Sequence, residues 1–202
     1  MAVDPGSVTH MDGRAARSAR TRAAIADALL ALLDEGNVQP TVEEIALRAG
    51  VAPRTVFQHY ADRDALFAAI GELQAERIAP LFDHIDQSGS LDDRLDAVVA
   101  QRTRIYETIA PVRRAALLQE PFSEQAHERL AAFRAAKRLD LERIFAREIG
   151  ARPAGEQPLL RAALGAAASW SSWDALRSQQ GLEPDSAAVV LRRMLHALLT
   201  AT

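Results

Sequence analysis

The stretch from Thr41 to Tyr60 constrains the fold more than any other part of the sequence. Thr41 and Glu44 have the spacing of a capping box, in which each side chain satisfies a backbone N–H at a helix start. Gly50 follows an apolar pattern and can adopt the left-handed backbone that ends a helix. Pro53 has no N–H and therefore fits the first turn of a second helix. The stretch predicts two short helices joined by a tight turn, as in helix-turn-helix proteins that bind DNA.

The second of these helices is predicted to have an inner and an outer side. Val56 and Tyr60 would face the core, and the polar side chains would face outward. Arg54 can pair bidentately with guanine or neutralise a phosphate, and Gln58 can pair with adenine. Thr55 can contact a phosphate or a thymine methyl group. Each of these alone is typical of an ordinary surface residue, but together, on this motif, they indicate DNA contact.

The run from Gly50 to Ile70 resembles the tetracycline-repressor (TetR) family of transcriptional regulators. Ala52 stands where the family has Ser, which removes a helix cap or a phosphate-binding hydroxyl, and Arg63 stands where Lys is usual, which keeps the charge. The resemblance implies that Phe57 and His59 lie against the DNA backbone. The family pattern is matched by Gly50, Val51, Thr55, Phe57, His59, Tyr60, Asp64 and Leu66.

Exposed N–H groups at helix starts attract phosphate, so the residues that begin the flanking helices are added to the expected contacts. The expected DNA-binding residues are Thr41, Arg54, Thr55, Phe57, Gln58, His59 and Arg63.

Charge placement, rather than net charge, must carry DNA binding in this chain. The net charge is −3, and residues 14–67 hold seven arginines and seven acidic residues. We therefore expect weak non-specific binding and a large share of affinity from fitted contacts. Arginines at positions 14, 17, 20 and 22 fit two interpretations, a solvated helix start or an arm that touches phosphates or the minor groove.

The whole chain is predicted to be all-α, with about nine helices. The first helix is expected from about 18 to 35, with an apolar stripe through Ile25, Leu29 and Leu33. Pro80 should bend or stop the fourth helix, and Pro111 should interrupt a helix that starts at 91. Further helices are expected at about 123–149, at 158–180, and from Pro184 onward.

The predicted domains follow from the motif and the resemblance. Residues 1–13 have no periodicity and are expected to form a flexible arm. Residues 14–61 are expected to be a three-helix helix-turn-helix domain that binds DNA. Residues 62–202 are expected to be a helical domain for effector binding and dimerisation.

The C-terminal domain has two features that bear on assembly and ligand binding. Small residues precede a final helix with a broad apolar face; the resemblance implies that these two helices pair with their copies in a four-helix dimer interface, whereas the alternative is that they close the monomer core. The residues expected at that interface are Ala163, Ala167, Val190, Met194 and Leu198. Aromatic side chains could line an effector pocket, or could be plain core; they are Tyr106, Phe122, Phe133, Trp170 and Trp173.

Catalytic and targeting signals are weak. The sequence has no Gly-rich phosphate loop, no Gly-x-Ser-x-Gly and no His-Glu-x-x-His. Asp83, His84 and Asp86 favour a solvated helix end over a metal site, because adjacent residues of a helix point apart. We expect no enzyme activity, no cofactor and no metal. No apolar run approaches the ~20 residues that cross a bilayer, and no signal core is present, so we expect no membrane association and a cytoplasmic location.

The sequence therefore predicts a transcriptional regulator, usually a repressor in this family. It would bind double-stranded DNA at an inverted-repeat operator as a homodimer and be released by a small-molecule effector. One alternative is a helix-turn-helix regulator with no small-molecule effector. Another is a small all-helical enzyme that carries a DNA-binding-like segment.

Overall fold

The computed structural model describes the backbone of residues 6–201 and the side chains of residues 13–201. Within these residues the fold is all-α and contains no strand, as the sequence predicts. Ten α-helices form it, together with a 3-10 turn at Ala79–Leu81 and a π-helical turn at Ala175–Gln179. The helices are α1 (Gly6–Asp34), α2 (Val42–Ala49), α3 (Pro53–His59), α4 (Arg63–Ile78), α5 (Leu91–Gln119), α6 (Glu124–Ile144), α7 (Ala146–Gly150), α8 (Gln157–Ala167), α9 (Trp170–Asp174) and α10 (Pro184–Thr200).

The first helix is longer than predicted. It begins at Gly6 rather than near residue 18, so the expected start was wrong. The Ala- and Arg-rich segment 14–23 consists almost entirely of strong helix formers, which extends the helix toward the N-terminus. Of the flexible arm expected at 1–13, residues 1–5 lie outside the described part of the chain, and residues 6–13 belong to α1.

The chain divides into two compact units. Unit 1 comprises Met1–Ala75 and Pro111–Ala126, and unit 2 comprises Glu76–Ala110 and His127–Thr202. The helix-turn-helix and the start of α4 therefore share one unit. The functional boundary predicted between residues 61 and 62 stays a prediction.

The core of unit 1 is built on the apolar stripe of α1. Ile25, Leu29 and Leu33 are all fully buried, as their spacing predicts. Residues of α2, α3 and α4 pack on this stripe, which burial of apolar surface stabilises. These packing residues are Ile45, Ala46, Val56, Tyr60, Leu66, Phe67 and Ile70.

Two prolines have opposite effects. The α4 helix ends at Ile78 and gives way to the 3-10 turn that contains Pro80. Pro111, by contrast, lies inside α5, which continues to Gln119. The predicted interruption at Pro111 was therefore wrong. A proline inside a helix costs about 3 kcal/mol, and burial of Val112 and Ala115 directly after it offsets that cost.

Two predicted long helices are broken in the structure. The segment expected as one helix at 123–149 is divided at Phe145, which is fully buried and has φ −106°. Arg94 of α5 donates a hydrogen bond to the carbonyl of Ile144 at 2.8 Å. This bond satisfies a backbone oxygen at the break, so the helix can end inside the core.

The segment expected as one helix at 158–180 is divided after α8. Ser169 adopts an extended backbone and caps α9, because its hydroxyl accepts a hydrogen bond from Ser172 N at 3.1 Å. The serine hydroxyl thus replaces a backbone carbonyl as the acceptor of a backbone N–H, which ends one helix and starts the next. Pro184 opens α10 as predicted. Within the described residues, no helix combines the length and the apolar character needed to cross a membrane.

Candidate nucleic-acid interface

The start of α2 is held by the predicted capping box. Glu44 N donates to the Thr41 hydroxyl at 3.2 Å, and Thr41 N donates to the Glu44 carboxylate at 2.7 Å. Because Thr41 supplies these bonds, the pKa of Glu44 lies below its usual value. The Thr41 hydroxyl also lies 3.0 Å from the same carboxylate oxygen. Both donors of Thr41 are thus engaged within the protein, so a phosphate contact by Thr41 would require one of these bonds to open.

Gly50 makes the corner between the two helices. Its φ of 68° and ψ of 33° are left-handed, as predicted for a glycine that ends a helix. The next residue, Val51, donates its N–H to the Ala46 carbonyl at 3.0 Å. This six-to-one bond satisfies a carbonyl at the end of α2 and directs the chain into α3.

The α3 helix starts without the cap that the family pattern would supply. Ala52 occupies the N-cap position with an extended backbone and makes no side-chain hydrogen bond there. Pro53 follows in the first turn. The N-cap of α3, the helix that carries the expected base contacts, therefore lacks the hydroxyl that the family's serine would supply.

The two sides of α3 differ as the sequence predicts. Val56 of α3 is 3% exposed, and Tyr60, which directly follows the end of α3, is 2% exposed. Arg54 and Gln58 are exposed and lie four residues apart, which puts them on one face of the helix. Neither side chain makes a hydrogen bond or an ion pair with any other residue in the described part of the chain. This face is thus available to an external partner.

The remaining expected contacts surround this face. Phe57 is 59% exposed, which is unusual for a large aromatic side chain, while Thr55 and His59 are half-buried. The exposed Arg63 begins α4, and its guanidinium carbon lies 5.3 Å from the centroid of the Phe67 ring. Contact of these residues with DNA stays a prediction.

A contact that the sequence does not reveal fixes α3 to α1. The Tyr60 hydroxyl donates to the carbonyl of Arg22 at 2.9 Å, and Arg22 Nη1 donates to the carbonyl of His59 at 3.1 Å. The guanidinium of Arg22 also lies 4.6 Å from the Tyr60 ring centroid. Burial raises the pKa of the Tyr60 hydroxyl. Arg22 therefore positions α3, a role that no local pattern could indicate because its partners lie 37 and 38 residues away.

A second missed residue is Leu47. It lies on α2, immediately before the corner, and is 83% exposed. Leu47 and Phe57 are thus two large apolar side chains that the motif leaves exposed. The only signal in the sequence is the position of Leu47 outside the apolar side formed by Ile45 and Ala46.

The aromatic residues expected at an effector pocket belong to both compact units, four of them to unit 2. Tyr106, Trp170 and Trp173 pack together in unit 2, with ring centroids 5.8 and 6.2 Å apart. The Tyr106 hydroxyl donates to the Ala168 carbonyl at 2.6 Å, and Trp173 Nε1 donates to Glu107 at 2.8 Å. All three side chains are buried, and the polar atoms of Tyr106 and Trp173 have partners within the protein, as in plain core. Their part in an effector pocket stays a prediction.

The other two aromatic residues lie elsewhere. Phe122 belongs to unit 1 and is 88% exposed, and its part in an effector pocket stays a prediction. It lies in the turn between α5 and α6, where Pro121 ends the helical pattern. Phe133 is half-buried on α6, with its ring centroid 5.5 Å from Lys137 Nζ.

The residues proposed for dimerisation lie on α8 and α10, which pack against each other. Ala167 is buried, whereas Ala163, Val190 and Leu198 are half-buried and Met194 is 36% exposed. A groove of about 540 Å³ lies along this part of unit 2. Its lining residues are Ser172, Ala175, Leu176, Gln180, Leu182, Val190 and Met194.

The helix pair around Gly50, with a buried inner side and an exposed polar outer side, defines a helix-turn-helix DNA-binding protein. Comparison with known proteins agrees. Residues 25–70 match the family described as bacterial regulatory proteins, tetR family. That range runs from the apolar stripe of α1 through the first half of α4.

Two solved structures share the fold along most of the chain. A transcriptional regulator from Rhodococcus sp. Rha1 is 20% identical, with a TM-score of 0.65 over 90% of this chain and 95% of that one. A TetR-like transcriptional regulator from Rhodococcus sp. RHA1 is 17% identical, with a TM-score of 0.59 over 92% of this chain and 97% of that one. No curated protein sequence gives a significant match. The family match confirms the TetR resemblance of the motif over residues 25–70, and the two solved structures show that the fold is shared along most of the chain.

Proposed function

We propose that this regulator binds an inverted-repeat operator as a homodimer, represses transcription there, and is released by a small-molecule effector. DNA binding itself follows from the family. Two copies of α3 would occupy successive major grooves, ~34–36 Å apart, on one side of the duplex. The two half-sites of an inverted repeat are related by a two-fold axis, so a protein that binds both in the same way needs two-fold symmetry. DNA binding and dimerisation are therefore proposed together.

The observation that carries the DNA-binding proposal is the exposed pair Arg54 and Gln58. The opposite side of the same helix is buried at Val56 and tied to α1 through Tyr60. A rigidly held helix that presents an arginine and an amide can pair with guanine and adenine edges in the major groove. Thr55, on the same turn, adds a hydroxyl and a methyl group.

Phosphate and sugar contacts are assigned to the rim of this face. His59 and Arg63 lie at the end of α3 and the start of α4, and Phe57 and Leu47 offer apolar surface to sugars or thymine methyl groups. Such contacts fix the orientation of the protein and carry no base sequence. Thr41 joins them only if its hydroxyl leaves the Glu44 carboxylate.

The proposed dimer interface is the outer face of α8 and α10. It includes the half-buried Val190 and Leu198 and the 36%-exposed Met194, and α8 also exposes Leu159 by 71%. An apolar patch exposed on two neighbouring helices is typical of a protein–protein interface, because monomeric proteins rarely leave large apolar patches in contact with solvent. A second copy of the same face would cover them.

One observation in unit 2 favours a second candidate function. The buried and satisfied cluster of Tyr106, Trp170 and Trp173 favours the rival reading, a regulator without a small-molecule effector. Such a protein would be controlled by its abundance or by a protein partner. The two readings differ in whether any small molecule binds unit 2 and changes operator affinity.

Selection of bound sequences from random double-stranded DNA tests the proposal. We expect an inverted repeat whose half-site centres are about one helical turn apart. Arg54→Ala should weaken binding to that repeat by ~1–3 kcal/mol, and Arg129→Ala, at an exposed arginine of α6, is the matched control. Recovery of no repeat, or equal affinity of the two variants, would contradict the proposed reading surface.

Analytical ultracentrifugation tests the assembly. Met194→Glu should shift the protein from dimer to monomer, because a carboxylate would be buried without a partner at the interface. Leu139→Glu, at a leucine of α6 that is 62% exposed, should leave the dimer intact. A wild-type protein that sediments as a monomer both alone and with operator DNA would refute the homodimer.

A further inference from the structure

Two cations are buried side by side in unit 2. Arg102 of α5 is 1% exposed and Lys137 of α6, the only lysine in the chain, is 9% exposed. The guanidinium Nη2 of Arg102 donates to the backbone carbonyl of Lys137 at 3.0 Å. Burial of charge costs free energy unless an opposite charge compensates it or the group loses its proton, so an anion close by would stabilise the charged form of this pair.

The protein supplies only part of that compensation. Asp140 lies 3.6 Å from Arg102 Nη2, and the other guanidinium nitrogen, Nη1, is buried without a hydrogen-bond acceptor among the described residues. Buried polar atoms nearly always have a partner. Asp140 also pairs with Arg143 at 2.8 Å, so this carboxylate compensates Arg102 and Lys137 only in part. The remaining positive charge and the donor without an acceptor are the complement of an anion.

An aromatic side chain covers the lysine. The Phe82 ring centroid lies 3.5 Å from Lys137 Nζ, and Phe133 lies 5.5 Å away on the same helix as the lysine. Phe82 directly follows the 3-10 turn after α4 and is 43% exposed. Rotation of this one side chain would open the ammonium to solvent, while Phe133 would remain as an apolar wall.

We propose that Arg102 and Lys137 bind a small organic carboxylate with an apolar body, and that Phe82 covers this site when it is empty. The carboxylate would accept hydrogen bonds from Arg102 Nη1 and Lys137 Nζ, and its body would contact Phe133. A charge-assisted bond to the ammonium is stronger than the ring contact that it replaces. This inference rests on the proposed function, since it names the chemical class of the effector.

The site should respond to pH. Burial, and then the neighbouring Arg102, lower the pKa of Lys137 to about 7, and Asp140 acts in the opposite direction. Asp83, the residue after Phe82, is a charged group on the same stretch of chain, and it is paired with Arg104 of α5. Since the anion binds the ammonium form, its affinity should fall by about tenfold per pH unit above pH 7, until the pKa of the complex is reached.

The single lysine allows a direct test on the full-length protein. With 13C-labelled lysine, one side-chain resonance reports the titration of Lys137. Sodium benzoate and sodium acetate should shift this resonance saturably and raise its titration midpoint by about one pH unit or more, as binding to the charged form requires. Benzamide, which has the same body without the charge, should do neither. An unchanged midpoint with both carboxylates, or an equal effect of benzamide, overturns the proposal.

Calorimetric titration of variants with benzoate identifies the residues. Lys137→Met and Arg102→Met should each weaken binding at least tenfold, whereas Arg138→Met, at the neighbouring exposed arginine, should not. If Arg102→Met fails to fold, Lys137→Met and the wild-type resonance still decide the question. Equal binding by Lys137→Met and wild type refutes the site.

These measurements contain no DNA, so their result is separate from the operator selection. Benzoate binding without recovery of an inverted repeat would keep the anion site and reject the proposed regulation. An inverted repeat without carboxylate binding would keep the regulator and reject the site. Benzoate binding that leaves operator affinity unchanged would reject the carboxylate as an effector class.

Discussion

The left-handed backbone at Gly50 gives the sharpest test of how the helix-turn-helix is built. A Cβ added at this glycine would meet no atom within 4 Å, so Gly50→Ala creates no clash with neighbours. The cost arises from the conformation alone, and for an L-residue in this region it is ~1–2 kcal/mol. Alanine recovers ~0.4–1 kcal/mol because it makes the unfolded chain less flexible. We expect a net loss of about 1 kcal/mol in the free energy of unfolding.

Gly71→Ala is the matched control, because it adds the same atom in the same unit. Gly71 lies inside α4, has no left-handed φ, and also has no atom within 4 Å of an added Cβ. An alanine inside a helix is more stable than a glycine by ~0.5–1 kcal/mol. The two variants should therefore differ by about 2 kcal/mol, with opposite signs relative to wild type.

Equilibrium urea denaturation, followed by circular dichroism, measures this difference as a shift in midpoint at constant slope. If Gly50→Ala is as stable as Gly71→Ala, the left-handed corner does not constrain the turn and the reasoning fails. If Gly50→Ala instead changes the slope of the free energy of unfolding against urea concentration, the variant alters the compactness of the denatured or the native state.

Four further substitutions test separate parts of the structure by the same denaturation assay. Ala52→Ser adds the missing cap of α3 and should stabilise the protein by ~0.5–1 kcal/mol; no gain would mean that the hydroxyl does not reach a backbone N–H. Tyr60→Phe removes the hydrogen bond to α1 and should cost ~1–2 kcal/mol, whereas an unchanged midpoint would show that the bond is not needed. The hydrogen bond from Arg94 lowers the pKa of Glu148, so the stability that this carboxylate contributes is present above its ordinary pKa of about 4.3 and is lost as the pH falls. Glu148→Gln should accordingly cost ~3 kcal/mol at neutral pH and lose less stability than wild type on acidification; parallel pH profiles would refute this account. Because the pKa of Lys137 is lowered to about 7, the unfolded chain binds more protons between about pH 7 and 10.4, and wild-type stability should rise with pH across that window. Lys137→Met should lack this rise, and an identical rise in the variant would assign it to other groups.

The local features of the helix-turn-helix could be predicted because each acts over a few residues. The capping box at Thr41, the left-handed Gly50 and the buried side of α3 all depend on side chains within about one or two helical turns. The all-α class follows from the same helical periodicity, and the TetR resemblance follows from the density of the motif. These conclusions required no knowledge of which helices meet.

Helix boundaries required more than local pattern. Pro111 ends most helices by its chemistry, yet α5 continues because the residues after it are buried. The break at Phe145 depends on Arg94, 50 residues away from the carbonyl that it satisfies. Local sequence carries no record of such partners, so it predicted one interruption that does not occur, at Pro111, and missed two that do, at Phe145 and Ser169.

The sequence alone thus determined the class of the fold, the family resemblance and the short motif whose caps and turn are encoded by neighbouring residues. Only the tertiary structure decided which side chains are available. It buried Tyr106 and the two tryptophans, joined Arg22 to the end of α3 by a hydrogen bond, and buried Lys137 beside Arg102. Exposure, charge compensation and hydrogen-bond satisfaction depend on contacts between residues far apart in the chain, and these exist only once the helices have packed.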